Sequence, residues 1–382
     1  MNRKQFIILL ALVVVVGAAG WLVNQHTQDS WRSGGAAIGG KLLPGLAVND
    51  IKQIRLQSGT NELNLAWRDD RWRVRERGDY PANFQQISSL LLKFADLKIA
   101  QREDLGPSQF GRFNLLPPGP GTNTGTAVEF KDTAGKTVAS VLLGKNHLHQ
   151  STDNTPAGGL GDQGWPDGRY VMTGTETKTV AVISDALYQV QTQPEQWLNK
   201  DFINIEKPRA VAVEFPEATN SWKLTRASET NDWKLAGLRP DEQPDPAKFA
   251  GVTRPFSGTS FNDVGPLNTN TPAGRTVLTV EMFDGFTYVA RIGAKENNVY
   301  PVSLTISASL AGERTPGKDE KAENKVKLDQ EFKTQQKALA DKLAKEKQCE
   351  PWVYQVPAYG LDEVLKPRAE LLLVQTNAVA VK

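Results

Sequence analysis

The chain has 382 residues, 39% hydrophobic and 23% charged, with 45 Lys+Arg against 43 Asp+Glu. That length implies two or three domains at roughly 100–200 residues each, and a net charge of +2 supplies no basic footprint for nucleic acid. One Cys excludes an internal disulfide framework and a Cys-rich zinc site, and three His argue against a multi-histidine metal centre.

Phe6 to Val23 runs for 18 residues without a charge. As a helix it measures about 27 Å, close to the roughly 30 Å hydrocarbon core of a bilayer. Arg3 and Lys4 precede it, so the N-terminus is expected in the cytoplasm and the rest of the chain across the membrane, with Trp21 at the outer interface. Residues 1–23 therefore read as an uncleaved, single-pass signal anchor. A cleavable signal peptide ending in the small residues Gly17 to Gly20 is the competing reading. A lipoprotein is excluded, because the only Cys is Cys349. Residues 24–47, with Gly34, Gly35, Gly39 and Gly40 and no apolar period, read as a flexible linker.

From Val48 the pattern is of strands and hairpins. Ile54, Leu56, Leu63, Leu65 and Trp67 alternate, Arg68-Asp69-Asp70-Arg71 makes a turn, and Trp72 and Val74 return. Asn83 opens a helix with Gln86 three residues on, and Phe84, Ile87, Leu91 and Phe94 form one stripe that is expected to be buried. After a Pro/Gly-rich loop, Val128 and Phe130 lead through Asp132–Gly135 to Val138–Leu143, which ends at Gly144-Lys145. The order recurs later in the chain: Val211, Val213 and Phe215, then a longer hairpin flanked by Trp222 and Trp233. Asp245-Pro246 then opens a short helix bearing Phe249, Val252 and Phe256, and a hairpin turns at Asp284-Gly285. Each copy is expected to close with a strand and a short helix, over Val180–Tyr188 and Val353–Leu365. The expected fold is α+β: a transmembrane helix, then two tandem copies of a mostly antiparallel sheet-plus-helix unit, residues 48–200 and 201–382.

Within the second copy, Glu313 to Lys347 holds 18 charged residues in 35, and Asp319 to Lys347 contains neither Pro nor Gly. A charged helical insertion over 313–348 follows. Leu328, Phe332, Leu339 and Leu343 lie along one narrow seam, interrupted by Gln335 and Lys342. Three readings are open: the seam rests on its own domain, the helix is a solvated arm, or the seam is a coiled-coil-like contact for a partner.

The strings Trp72-Arg73-Val74, Tyr80-Pro81-Ala82-Asn83, Ile87, Leu90-Leu91 and Leu97, and the segment Trp197-Leu198-Asn199-Lys200-Asp201-Phe202, resemble the bacterial family called domain of unknown function 4340. The resemblance covers most of residues 48–300, and its motifs are structural signatures. It implies a membrane-anchored exported protein whose gene often lies beside those for an ABC-transporter permease and a gliding-motility-type auxiliary subunit. The implied location is the bacterial inner membrane, single-pass, with the C-terminal domains periplasmic.

Patterns that mimic chemistry are few. Gly159-Leu160-Gly161-Asp162-Gln163-Gly164 matches the dinucleotide fingerprint in letters, but a polar, irregular stretch precedes it and Trp165-Pro166 follows, so no strand-to-helix turn flanks it. Gly135-Lys136-Thr137 lacks the upstream Gly of a phosphate-binding loop and reads as a hairpin turn. His147, His149 and Asp153 are the weak metal candidates, set against two solvated histidines at the mouth of a loop. Asp69 and Asp70 read as a solvated turn. No catalytic residues and no cofactor are expected. The leading expectation is a non-catalytic, membrane-anchored periplasmic accessory or scaffold subunit of an ABC-transporter-type complex. The alternative is a module for an envelope polymer or small ligand, with exposed Trp residues stacking on sugars. A third reading, an exported hydrolase built on His147, His149 and Asp153, lacks a nucleophile or third ligand.

Overall fold

The computed structural model describes residues 38–149, 165–174, 179–267, 275–316 and 320–373. The expected anchor, most of the linker, Asp153 and the Gly159–Gly164 stretch lie outside the described residues. No helix among the described residues is long and apolar enough to cross a membrane. These residues form two units: one holds those up to Glu76 with Pro81–Trp197, the other Arg77–Tyr80 with Leu198 onward.

In the first unit the alternating segments become β1 (Gln53–Ser58), β2 (Asn61–Arg68) and β3 (Arg71–Val74); the two-residue strand β4 (Tyr80–Pro81) falls where the chain passes from one unit to the other. Then come α1 (Phe84–Asp96), β5 (Ile99–Asp104), β6 (Thr126–Lys131), β7 (Thr137–His149), β8 (Trp165–Thr173) and β9 (Thr179–Ile183). The sheet order is β4-β3-β2-β1-β6-β7-β8-β9-β5. Trp67 pairs with Trp72 across a two-residue turn whose Asp69 and Asp70 have φ of 48° and 58°. Positive φ at both positions is the tight hairpin geometry that acidic side chains tolerate, so the solvated-turn reading holds. Asn83 caps α1, its side chain accepting from the Gln86 N–H. Ile54, Leu56, Leu63, Leu65, Ile87, Leu90 and Phe94 are fully buried, and the Phe94 and Phe130 rings meet edge-on at 5.0 Å. The helix thus covers the apolar face of β1, β2 and β6.

The second unit repeats the plan with β10 (Pro208–Glu214), β11 (Trp222–Thr225), β12 (Lys234–Leu235), the one-turn α2 (Phe249–Val252) and β13 (Asp263–Pro266). It continues with β14 (Thr276–Met282), β15 (Phe286–Ile292), β16 (Val299–Ala308), α3 (Ala322–Glu346) and β17 (Trp352–Pro357). Its order, β12-β11-β10-β14-β15-β16-β17-β13, matches β3-β2-β1-β6-β7-β8-β9-β5 strand for strand. The duplication therefore extends to the last pairing, where the strand after the helix joins the far edge of its sheet. Both sheets are antiparallel, which makes the fold α+β. Asp245 caps the turn that leads into α2, accepting from the Ala247 N–H.

Four local expectations need correction. Phe84 is 62% exposed, because it sits on the first turn of α1, about 70° from the centre of the stripe formed by Ile87, Leu90, Leu91 and Phe94. β7 does not end at Gly144-Lys145 but runs on to His149. The loop expected from Asn146 to Gly168 is shorter than that, since its last four residues already belong to β8. Gly168 is required there, since a Cβ would lie 2.3 Å from the Ile183 carbonyl oxygen. Neither copy closes with an α-helix; β9 and β17 are followed by turns and short 3-10 segments.

Arg169 explains how β8 is held. Its Nε donates to the Gly144 carbonyl at 2.8 Å and its Nη1 to the Ala186 carbonyl at 3.1 Å. Burial lowers its pKa. Arg169→Met leaves both carbonyls unsatisfied and is expected to lower unfolding free energy by about 2 kcal/mol, as read by urea denaturation.

Candidate functional site

His147 and His149 both lie on β7, paired by backbone with Gly168 and Trp165 of β8. His147 Nδ1 is 2.7 Å from Asp167 Oδ1, and its ring centroid is 5.5 Å from that of Tyr170. The carboxylate beside His147 is thus Asp167, supplied across the β7–β8 ladder. Among the described residues no group of three His, Cys, Asp or Glu is placed to hold a metal ion. Gly135, at φ +77°, is the turn residue between β6 and β7, as the hairpin reading requires.

The charged insertion is α3, about 37 Å long as 25 residues. Leu328, Phe332, Leu339 and Leu343 are half-buried, while Val326 and most of the remaining circumference are exposed. Lys342, read from sequence as an interruption, belongs to the same stripe. Its Nζ lies 3.1 Å from Asp284 Oδ2 and 4.2 Å from the Phe286 ring centroid. One turn later Glu346 Oε2 accepts from the buried Tyr288 hydroxyl at 2.8 Å, and burial raises the Glu346 pKa. At the other end Arg314 is bonded to Glu320 and Asp329. The C-terminal end of the helix is therefore fastened to the sheet of its own unit, and its N-terminal end is tied to the segment that leads into it. Tyr288→Phe is expected to speed amide exchange in the last two turns of α3 by about tenfold, the equivalent of one hydrogen bond to a charged acceptor.

The signature segment after Trp197 is absorbed by packing. Trp197 is fully buried in the first unit, its Nε1 donating to the Gln191 carbonyl at 2.9 Å. In the second unit Asn199 Oδ1 accepts from the Asp201 N–H, and Lys200 Nζ donates to the carbonyls of Phe261 and Asn262. Phe202 joins Phe256, Phe261 and Tyr354 in an aromatic cluster that also takes Tyr80 and Trp352. Burial pushes the Tyr80 and Tyr354 hydroxyls well above their usual range. Arg77 grips Asp263 through two hydrogen bonds of 2.7 and 2.8 Å.

A cleft of about 700 Å³ in the second unit lies between the β11–β12 connection and α2. The connection differs from its counterpart: β2 and β3 are joined by two residues, whereas Arg226 to Trp233 separate β11 from β12. The longer loop is ordered by its own polar groups. Ser228 Oγ donates to Asn231 Oδ1 at 2.8 Å, and Lys207 pairs with Glu229 at 2.9 Å. Arg226 Nε and Nη1 donate to the carbonyls of Pro208 and Glu229, and the guanidinium lies 4.8 Å from the Trp233 ring centroid and 5.6 Å from that of Phe283. The facing wall is Pro246, Phe249, Ala250, Thr253 and Arg254. Sequence reading found Trp233 as a hairpin flank and missed Arg226 and Arg254, which match no motif. The signal that could have found them is the unequal hairpin length between two otherwise equivalent copies.

Comparison with known proteins returns one family. The model described as Domain of unknown function (DUF4340) matches residues 72–276, from β3 of the first unit to the first residue of β14 in the second, a little over half of the chain. No curated protein and no solved structure matches.

Proposed function

We propose a role from the premise that the chain belongs to the DUF4340 family: a non-catalytic, membrane-anchored accessory or scaffold subunit of an ABC-transporter-type complex, its duplicated domains periplasmic. The observation that carries the proposal is α3. A charged 25-residue helix is fastened to its sheet through Lys342 and Glu346 near its C-terminal end, which leaves a long, solvated face for another protein. The family signature residues meanwhile serve the cores of the units, which suits a protein whose shape matters more than its side-chain chemistry. The Phe6–Val23 segment supplies the anchor in this reading, and Arg3 and Lys4 its orientation.

The test is a crosslinked pulldown of the full-length chain from native membranes in gentle detergent, read by mass spectrometry. It is run beside a variant carrying Lys333→Glu and Lys337→Glu on the exposed face of α3. Enrichment of a permease and its auxiliary subunits, reduced in the variant, is expected. Recovery of a monomer with no membrane partner would overturn the proposal.

A further inference from the structure

We infer that the cleft between the β11–β12 connection and α2 is a binding site for a pyranose saccharide, a feature independent of the membrane-complex role. Three observations converge on that ligand class. The first is a single tryptophan held in the cleft lining. Trp233 is half-buried, and one guanidinium, itself held by two carbonyls, spans it and Phe283. A tryptophan immobilised in this way presents indole surface at little cost in conformational entropy, and the C–H face of a pyranose is the apolar surface that packs on it.

The second is charge. The lining carries three basic side chains (Lys207, Arg226, Arg254) and three acidic ones (Glu206, Glu229, Asp232). Lys207 is already paired with Glu229. A phosphate or carboxylate ligand would need a cationic excess, and a lipid tail would need continuous apolar walls; the cleft has neither. A neutral ligand rich in hydroxyls matches a wall of balanced sign.

The third is the set of groups left over. Among the described residues, the Asp232 carboxylate, the Arg254 guanidinium and the Trp233 Nε1–H have no hydrogen-bond partner, and Arg226 Nη2 has no acceptor. Planar carboxylate and guanidinium groups bind two neighbouring hydroxyls at once, giving the orientation that stacking alone does not. At about 700 Å³ the cleft falls within the roughly 300–1,000 Å³ of small-molecule sites. The first copy, with its two-residue turn at Asp69-Asp70, has no loop from which to build the same wall. Binding is therefore assigned to the second copy alone.

The test is isothermal titration calorimetry of the full chain in a detergent without a sugar headgroup. The titrants are tri-N-acetylchitotriose, as the repeat of an envelope glycan, and maltotriose, as a free oligosaccharide. One of the two is expected to bind with a Kd in the millimolar range or tighter. Trp233→Ala and, separately, Asp232→Asn are each expected to weaken it at least tenfold with Tm unchanged. Trp67→Phe, on the first unit's hairpin, leaves it intact. Chitotriose binding would point to an envelope glycan and maltotriose binding to a soluble sugar. The inference is overturned if neither trisaccharide binds at millimolar concentration, or if binding persists undiminished in both Trp233→Ala and Asp232→Asn. Asp232 is exposed and lies outside the strands, so its variant remains informative should Trp233→Ala unfold. Either failure leaves the membrane-complex proposal standing.

Discussion

Trp197→Ala is expected to destabilise the first unit by about 3–5 kcal/mol, the cost of removing a fully buried indole and leaving a cavity behind. The loss has a polar component too, because the Gln191 carbonyl that accepts from Nε1 is left without its donor. Trp197 also ties α1 to the end of the unit, since its own carbonyl accepts from the Asn83 N–H at 2.8 Å, one residue before the helix begins. The measurement is urea unfolding followed by circular dichroism, in which the variant's first transition should move to markedly lower denaturant. Trp233→Ala, at a half-exposed position, should shift stability by no more than about 1 kcal/mol. That contrast separates two uses of the same residue type: one tryptophan holds the family fold, the other offers a surface. If Trp197→Ala instead kept its stability and lost membrane partners, the signature segment would be a contact site and not a core element.

What could be read in advance was local. The Asn83 and Asp245 caps, the Trp67–Trp72 hairpin and the repeated order of strands all depend on neighbours within a few residues, and the structure has each of them. What could not be read depends on residues far along the chain. Pro166 and Gly168 look like loop residues, yet β8 forms because Gly168 passes close to Ile183 and Arg169 reaches the carbonyls of Gly144 and Ala186. Lys342 looks like a fault in an apolar seam until Asp284 and Phe286 are seen beside it. The cleft is intermediate. Its existence follows from a hairpin that is longer in one copy than in the other, whereas its chemistry depends on Arg254 arriving from the segment just after α2.

Another long-range feature of this kind has a pH signature. Arg368 is buried, Glu242 is half-buried with its side chain turned inward, and the two meet through two hydrogen bonds, Nε to Oε1 at 3.0 Å and Nη2 to Oε2 at 2.6 Å. Arg368 also donates to the carbonyls of Ala236 and Gly237, so it pins the loop after β12 to the final turn of the described chain. Nearby, the Asp245 N–H donates to the Leu371 carbonyl and the Trp222 Nε1 to that of Lys366. Removing one partner strands the other: Arg368→Met is expected to cost about 3–5 kcal/mol, since it leaves a buried carboxylate and two orphaned carbonyls. Adding Glu242→Leu to that variant should recover much of the loss but not all of it, because the two carbonyls remain unsatisfied.

The acid limb of the stability curve supplies a separate check. Hydrogen bonds from Arg368 and then from the Arg239 N–H hold the Glu242 carboxyl down, from the ordinary 4.5 to about 2. A depressed folded pKa means that the pair contributes in full above pH 4.5, and that the contribution is lost as pH falls through that value toward 2. Unfolding free energy of the second unit should therefore decline over this interval in the wild type, and decline less steeply in the Arg368→Met, Glu242→Leu double variant. Equal slopes in the two proteins would mean that Arg368 holds the loop through the Ala236 and Gly237 carbonyls alone, with the carboxylate a bystander.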